Sequence, residues 1–281
     1  MKRAEGEKSI LVFTDLDGTL LDHFTYGFEE AGQALCLLKK NHIPVIINTS
    51  KTKAEILGIR RELGLEQSPF IVENGGGVYF PKSFIPKGPV GGDLELKDDF
   101  YRLELGRSHD RLMDFFDRVK ERYPITGFSR MRPEKIMELT GLSRKEVSDA
   151  LEREFSEPFL MEREDLADDL KRTALSHGLD ITQGGRFFHL VSRGQDKGRA
   201  LVKTKKIYEK IRGIQYGTIG LGDGKNDFSM LEKSDLPVLI PTPEGRFHNI
   251  EILNHIKATC PGPRGWNRII TQIFKGWEKS G

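Results

Sequence analysis

The sequence predicts an α/β protein in which a parallel sheet is interrupted by an inserted α+β domain. In the first third of the chain, short apolar runs alternate with helical patterns, and the last third returns to this alternation. The middle third instead contains helices and paired strands, and it follows a stretch rich in proline and glycine. Strands that alternate with helices form parallel sheets with right-handed crossovers. We therefore expect a core built from both ends of the chain.

The first half of this core is predicted from three buried strands and two helices. The strands are SILVF (9–13), PVIINTS (44–50) and FIV (70–72), whose continuous apolar runs are typical of strands covered on both faces. Apolar residues recur with helical spacing at 28–38 and 54–63. These two segments are predicted to be the helices that connect the strands.

The inserted domain is predicted to begin within PKSFIPKGPVGG (81–92), because proline and glycine at this density mark a boundary. Its predicted elements are a helix at 112–119, a helix that begins at the capping-box pair Ser143 and Glu146, and antiparallel strands at 179–182 and 186–191. The core resumes with a helix at 197–211 and strands within 216–224 and 236–241. We therefore assign residues 1–83 and 191–281 to the core and 84–190 to the insert, which we call the cap.

Composition excludes several classes of protein. The 281 residues carry 44 Lys and Arg against 42 Asp and Glu, so the net charge of +2 lacks the basic excess of a nucleic-acid binder. No apolar stretch approaches the ~20 residues that span a bilayer, and the charged N-terminus does not resemble a signal peptide. Cys36 and Cys260 form no disulfide framework. We expect a soluble, cytoplasmic protein without a membrane partner, as a monomer or homodimer.

Polar residues follow four of the predicted strands at the point where each strand ends. In an open parallel sheet, ligands bind beyond the carboxyl ends of the strands, so these residues are expected to converge. Two carboxylates that lie close together require a cation or a shared proton. The four sets are Asp15 and Asp17, Thr49 and Ser50, Glu73 and Asn74, and Asp223 and Asp227.

The chemistry of these residues favours phosphoryl transfer. Oxygen-only ligands favour Mg²⁺, which commonly bridges to a substrate phosphate. The hydroxyls of Thr49 and Ser50, and the ammonium of Lys197 at the start of a predicted helix, suit phosphate oxygens. A carboxylate can act as the nucleophile that accepts the phosphoryl group. Glu73 and Asn74 also fit a tight turn before three glycines, with no contact to a ligand.

The motifs DLDGTLLD, NTS, DKGRAL and GDGKND, in this order, resemble the haloacid dehalogenase superfamily of phosphatases. The match covers essentially the whole chain. It implies a Rossmann-like core with a C2-type cap, as in subclass IIB. It also implies that Asp15 is the nucleophile, that Asp17 is the general acid and base, and that Thr49, Ser50 and Lys197 bind phosphate.

The same resemblance implies how Mg²⁺ would be held. Asp15 and Asp223 match metal ligands, Asp17 contributes its backbone carbonyl, and Asp227 supports the metal site. Asn226 matches a residue that orients the lysine or the phosphate.

A narrower resemblance comes from NTSKT, ENGGGV, GGRFFHL and the stretch MELTGLSRKEVSDALEREFSEPF within the cap. These segments look like the mannosyl-3-phosphoglycerate phosphatase family, which forms mannosylglycerate, a compatible solute. Lys51 stands where the wider superfamily often has arginine. The resemblance implies a phosphorylated sugar–glycerate substrate; the alternatives are a glucosyl-3-phosphoglycerate or sugar-phosphate phosphatase, a phosphomannomutase-like phosphotransferase and a non-catalytic phosphate-binding module.

Candidate contacts to such a substrate are predicted from charge and position. Lys51 and Arg60 are candidates for a substrate carboxylate, and Arg186 and Glu157 are candidates in the cap, although Arg60 and Glu157 also fit salt-bridged structural roles. The full predicted substrate-binding set is Lys51, Arg60, Glu73, Asn74, Glu157, Arg186 and Asn226.

Overall fold

A computed structural model describes residues 9–85, 93–184, 187–249 and 252–278. Within these residues the larger sheet has nine strands and the smaller sheet has four. None of the described helices is both long and apolar enough to cross a membrane. The architecture confirms the predicted α/β fold with a parallel core sheet and an α+β insert.

The larger sheet is parallel in its centre and antiparallel at one end. Pairing is parallel from β13 to β3 and antiparallel from β3 to β5. In spatial order its strands are β13 (Ile256–Lys257), β12 (Leu236–Leu239), β11 (Tyr216–Gly222), β1 (Ser9–Thr14), β2 (Val45–Asn48), β3 (Phe70–Val72), β4 (Gly77–Pro81), β6 (Phe100–Glu104) and β5 (Glu95–Lys97).

Helices cover both faces of this sheet, which explains why its central strands are apolar throughout. On one face the buried cluster includes Leu38, Ile56 and Trp266, and on the other it includes Leu201 and Tyr208. The helices of the core are α1 (Gly32–Lys40), α2 (Lys53–Glu62), α7 (Lys197–Arg212), α8 (Phe228–Lys233) and α9 (Gly262–Glu278).

The cap is a second layered unit with its own apolar cluster. Helices α3 and α6 pack on one face of the smaller sheet through residues such as Phe115, Leu170 and Phe188. The capping box of Ser143 and Glu146 starts α5, as predicted. The strands in spatial order are β7 (Ile125–Gly127), β8 (Glu157–Met161), β10 (Phe187–Ser192) and β9 (Leu179–Gly184), and the helices are α3 (His109–Val119), α4 (Pro133–Thr140), α5 (Arg144–Leu151) and α6 (Ala167–Ser176).

One part of the predicted cap belongs to the core sheet. Strands β5 and β6 lie within residues 84–190, yet β6 pairs with β4 and extends the larger sheet. The alternation of β6 buries Tyr101 and Leu103 against the core cluster. The stretch rich in proline and glycine at 81–92 suggested a domain boundary before these strands. Part of that stretch lies outside the described residues. We place the boundary after Glu104, and the division into two domains stays a prediction.

The cap sheet contains a buried histidine. His189 lies in β10, its exposed fraction is 9%, and its Nδ1 makes no hydrogen bond with any described residue. Burial, together with the nearby positive charge of Arg153, lowers the pKa of His189 to about 3. The imidazole is therefore neutral in the folded protein across the physiological range of pH.

We expect acid to destabilise the protein through His189. The unfolded imidazole titrates near 6.5, so unfolding takes up a proton below that pH, and the contribution to stability is lost as pH falls from 6.5 toward about 3. Between about pH 7.5 and about pH 5 the loss is about 2 kcal/mol. Urea unfolding of His189→Gln at both pH values should lack this loss. The control His177→Gln, at an exposed cap position, should keep it, and equal pH dependence in both variants would contradict the assignment.

Candidate active site

The carboxyl ends of β1 and β11 place two acidic residues side by side. The strands pair in register up to Thr14 and Leu221, so Asp15 and Asp223 leave the sheet at the same edge. Gly18 closes the turn after Asp15 with φ of +73°, and a Cβ there would lie 2.7 Å from Asp223 Oδ2. Only glycine permits this turn to approach the Asp223 carboxylate so closely.

A buried ammonium group joins two of the acids. Lys197 Nζ lies 2.8 Å from Asp15 Oδ1 and 2.5 Å from Asp227 Oδ1, and the side chain is fully buried. Asp196 caps α7 by accepting from Arg199 N, and Asn48 Nδ2 donates to the carbonyl of Lys197 at 2.9 Å. These contacts fix the start of α7 and therefore the position of the lysine.

The electrostatics of Lys197 follow from its two partners. Burial alone would lower the pKa of this ammonium, but the carboxylates of Asp15 and Asp227 outweigh burial and raise it. A buried ammonium that lost either partner would leave an uncompensated charge, which is strongly unfavourable. Lys197 is therefore a permanent positive charge at the edge of the sheet.

Three acids lie close enough to share a cation. Asp15, Asp223 and Asp227 each have a carboxylate oxygen within 4.8 Å of those of the others. Burial and the neighbouring carboxylates raise the pKa values of Asp223 and Asp227. A bound cation would relieve this repulsion, and an all-oxygen donor set fits a hard divalent ion.

Asp223 and Asp227 have different hydrogen-bond partners. Asp227 Oδ2 accepts from the N–H groups of Asp223 and Gly224, and its Oδ1 pairs with Lys197, so both of its oxygens are engaged. Asp223 Oδ1 accepts from Thr19 Oγ1 at 2.8 Å. Asp227 thus positions the lysine and the 223–224 turn, whereas Asp15 and Asp223 retain oxygens for a cation.

Asp17 is not a member of this trio, and its carboxylate pairs with the ammonium of Lys51. Its Oδ2 is 3.0 Å from Lys51 Nζ, and its Oδ1 makes no hydrogen bond with the described residues. Burial raises the pKa of Asp17, although the positive charge of Lys51 acts in the opposite direction. A carboxyl group with a raised pKa beside the nucleophile is suited to donate a proton to a leaving oxygen and later to accept one from water.

The loop after β2 is held by the core and by the cap. Thr49 is buried, its carbonyl accepts from Asn74 N at 2.9 Å, and its Oγ1 accepts from Lys51 N at 3.3 Å. The carbonyl of Ser50 accepts from Arg153 Nη1 of the cap at 3.1 Å. The predicted phosphate-binding hydroxyls are therefore on a backbone whose position depends on the cap.

Asn74 and Asn226 connect two loops at the same edge. Asn226 Nδ2 donates to Asn74 Oδ1 at 3.2 Å, which joins the loop after β3 to the loop after β11. Asn74 has φ of +54°, a left-handed conformation that asparagine tolerates better than most residues. The structure thus brings this predicted pair together beside the acidic trio.

Glu73 has a structural role that its sequence context did not suggest. Its fully buried carboxylate accepts from Glu154 N at 2.8 Å, Phe155 N at 3.0 Å and Ser156 Oγ at 2.6 Å. These donors precede β8, so Glu73 fastens the segment that leads into the cap sheet. A carboxylate with all of these donors has little capacity left for substrate.

Two other predicted contacts lie away from the site. Arg60 packs over the ring of Phe70, with 4.2 Å between the guanidinium carbon and the ring centre, and its Nη2 donates to the carbonyls of Leu65, Glu66 and Ser68. Glu157 is fully buried in the cap, where it bonds to His109 and Ser129. Both side chains are committed to the fold. Arg186 lies outside the described residues.

Sequence reasoning missed three residues that support the site. Thr19 and Asn48 lie within the motifs DLDGT and NTS, and membership of these motifs was the available signal for them. Arg153 lies within the cap stretch that carries the narrower resemblance, but its role was not predicted, because its partners Ser50, Ala150 and Ser156 become visible only in the folded chain.

A sheet edge that combines three acids able to hold a cation, a carboxylate paired with a buried ammonium, and a second carboxyl group with a raised pKa is suited to chemistry on phosphoryl groups. Comparison with known sequences agrees. The sequence model of the haloacid dehalogenase-like hydrolases matches residues 12–86. A glucosyl-3-phosphoglycerate/mannosyl-3-phosphoglycerate phosphatase of Persephonella marina is 42% identical over 96% of this chain and 99% of its own.

A protein of the same name from Methanococcoides burtonii is 37% identical over 94% of this chain and 97% of its own. The chain therefore belongs to the haloacid dehalogenase-like hydrolases, and it is a phosphoric monoester hydrolase that acts on a phosphorylated small molecule. The solved structure of a haloacid dehalogenase-like hydrolase from B. subtilis superposes with a TM-score of 0.67 over 94% of this chain and 99% of its own. At 19% identity, this likeness shows the shared fold.

We expect a hard divalent cation, supplied as Mg²⁺, to stabilise the protein through the acidic trio. Saturation at about 100 times the dissociation constant contributes about 2.7 kcal/mol to the free energy of unfolding. Thermal unfolding with and without Mg²⁺ measures the effect, and Asp223→Asn should abolish it. The control Asp114→Asn, at an exposed position of α3, should keep it. An undiminished response in Asp223→Asn would contradict the role of this carboxylate.

Proposed function

We propose that the enzyme hydrolyses glycosyl-3-phosphoglycerates, mannosyl-3-phosphoglycerate foremost, to the glycosylglycerate and phosphate. The observation that carries this proposal is the fully buried Lys197 held between Asp15 and Asp227 at the strand edge. The substrate class is supported by the two relatives, which match essentially the whole chain. Their shared name includes both glucosyl and mannosyl substrates, and the glucosyl compound is therefore the alternative.

In this mechanism Asp15 is the nucleophile. One of its carboxylate oxygens attacks phosphorus, the bond from phosphorus to the glycerate oxygen breaks, and an aspartyl-phosphate forms. Lys197, 2.8 Å from Asp15 Oδ1, offsets the negative charge that gathers on the phosphoryl oxygens. The hydroxyls of Thr49 and Ser50 and the amides of the turn at residues 16–18 bind the same oxygens.

Asp17 transfers the protons in both steps. It protonates the leaving glycerate oxygen first, which the raised pKa of this carboxyl favours. The resulting carboxylate then takes a proton from the water that attacks the aspartyl-phosphate. Hydrolysis of that bond releases phosphate and restores Asp15.

Mg²⁺ is the cofactor that we propose, held by the carboxylates of Asp15 and Asp223 and by the backbone carbonyl of Asp17. When bound, it neutralises charge on the phosphoryl group and lowers the repulsion between that group and the nucleophile. Asp227 supports this site through its bonds to Lys197 and the 223–224 turn. We also propose a cytoplasmic location, because both Cys36 and Cys260 are free thiols.

The experiment that tests this proposal measures phosphate release with Mg²⁺ from four compounds: mannosyl-3-phosphoglycerate, glucosyl-3-phosphoglycerate, mannose-6-phosphate and 3-phosphoglycerate. We expect kcat/KM for one glycosyl-phosphoglycerate to exceed that for the two smaller compounds by more than about 100-fold, ~2.7 kcal/mol of transition-state binding. Similar, low rates on all four would contradict the substrate class. Turnover of the substrate without release of free phosphate would instead favour a phosphotransferase.

A further inference from the structure

A hydroxyl group and an indole form a polar pair in the apolar core behind Asp15. Thr14 of β1 and Trp266 of α9 are both fully buried, and the indole Nε1 donates to Thr14 Oγ1 at 3.1 Å. The surroundings are apolar, because Trp266 packs in the same cluster as Val12 and Leu16. Buried polar groups cost stability unless they bond to a partner, and an apolar pair of the same shape can be equally favourable. The pair therefore indicates a role besides packing.

The carbonyl of Asp15 lacks the partner that the sheet would give it. Thr14 pairs with Leu221, and Asp15 N donates to the carbonyl of Leu221 at 3.0 Å. The next bond of this parallel ladder would run from Asp223 N to the carbonyl of Asp15. Asp223 N donates instead to Asp227 Oδ2 at 3.1 Å, and the carbonyl of Asp15 accepts from Thr14 Oγ1 at 2.7 Å. A side chain thus holds this carbonyl where the ladder ends.

The orientation of this carbonyl fixes the direction of the amide that follows it. No described peptide bond is cis, so the N–H of Leu16 points opposite to the C=O of Asp15 across a planar peptide group. The carbonyl is held on the α9 face of the sheet by Thr14, and α7 covers the other face. The N–H is therefore directed away from α9, toward the side on which Lys197 of α7 meets Asp15. Among the described residues this N–H has no acceptor.

We propose that Thr14 and Trp266 are positioning residues for the phosphoryl group, and the proposal rests on the function proposed above. The indole occupies one acceptor site of the Thr14 hydroxyl, so the hydroxyl proton is directed to the carbonyl of Asp15. The peptide group after Asp15 is thereby turned so that Leu16 N–H meets a phosphoryl oxygen. A donor fixed in this way before the reaction needs no reorganisation as negative charge gathers on that oxygen. Helix α9 thus supports the chemistry without touching the substrate.

The test removes the hydroxyl of Thr14 and then restores it. Thr14→Val keeps the shape of the side chain but releases the carbonyl of Asp15, so kcat should fall by about tenfold or more. Thr14→Ser keeps the hydroxyl and should retain kcat within about threefold of wild type. Orthovanadate adopts the five-coordinate geometry of the transition state, so its inhibition constant should rise in Thr14→Val and not in Thr14→Ser.

A matched control and a second variant separate this role from packing. The control is Thr204→Val, because the hydroxyl of Thr204 is equally buried but donates to the carbonyl of Ala200 within α7; kcat and vanadate inhibition should stay at wild-type values. Trp266→Phe removes the indole N–H and should lower kcat less than Thr14→Val, since the hydroxyl remains. In a Thr14→Val background Trp266→Phe should lower kcat no further, because the hydroxyl that the indole holds is already absent.

All variants are assayed well below their melting temperatures, so that lost stability alone does not lower kcat. Wild-type kcat in Thr14→Val would overturn the proposal, as would a lowered kcat that Thr14→Ser does not restore. A lowered kcat with unchanged inhibition by orthovanadate would also overturn it, because the hydroxyl would then act elsewhere than on the phosphoryl group. The loss should be the same factor for every phosphoester that the wild type hydrolyses. A wild-type enzyme without preference for glycosyl substrates would therefore contradict the proposed substrate and leave the positioning role standing.

Discussion

The ion cluster around Lys197 is the interaction on which the rest of the site depends. A fully buried ammonium is stable only with charged partners. Asp15 and Asp227 are these partners, and they come from the two parts of the core that flank the cap in the sequence. Asp227 also bonds to the amides of Asp223 and Gly224. One positive charge therefore fixes Asp15, the proposed nucleophile, and, through Asp227, the turn that carries Asp223, a proposed cation ligand. The separated parts of the core must assemble before any of these groups is correctly placed.

A second set of buried contacts links this edge to the cap. Glu73 accepts from the segment before β8, Arg153 donates to the carbonyl of Ser50, and Thr52 Oγ1 donates to the carbonyl of Asp149. The loop that carries the proposed phosphate-binding hydroxyls is thus in direct contact with the domain that would recognise the leaving group. Because the same backbone bears both contacts, the position of the cap and the geometry of phosphate binding are physically connected.

The sequence predicts the central sheet well, because its strands are buried on both faces and end in polar residues. This pattern places Asp15, Lys197, Asp223 and Asp227 at one edge, and the structure brings them within bonding distance. This pattern does not predict three features, for different physical reasons. Strand β5 is short and fully exposed. Arg60, in α2, donates to carbonyls of the loop that follows this helix. Glu73 accepts hydrogen bonds from donors some 80 positions away.

The proposed mechanism depends most directly on transfer of the phosphoryl group to Asp15. The reaction with mannosyl-3-phosphoglycerate and Mg²⁺ is quenched rapidly with acid during turnover. Mass spectrometry of the peptides then identifies the residue that carries the phosphoryl group. We expect a phosphoryl group on Asp15, none in Asp15→Asn, and less than about a tenth of wild-type turnover in that folded variant. A phosphoryl group on another residue, or an Asp15→Asn enzyme that retains a tenth or more of the wild-type rate, would contradict it.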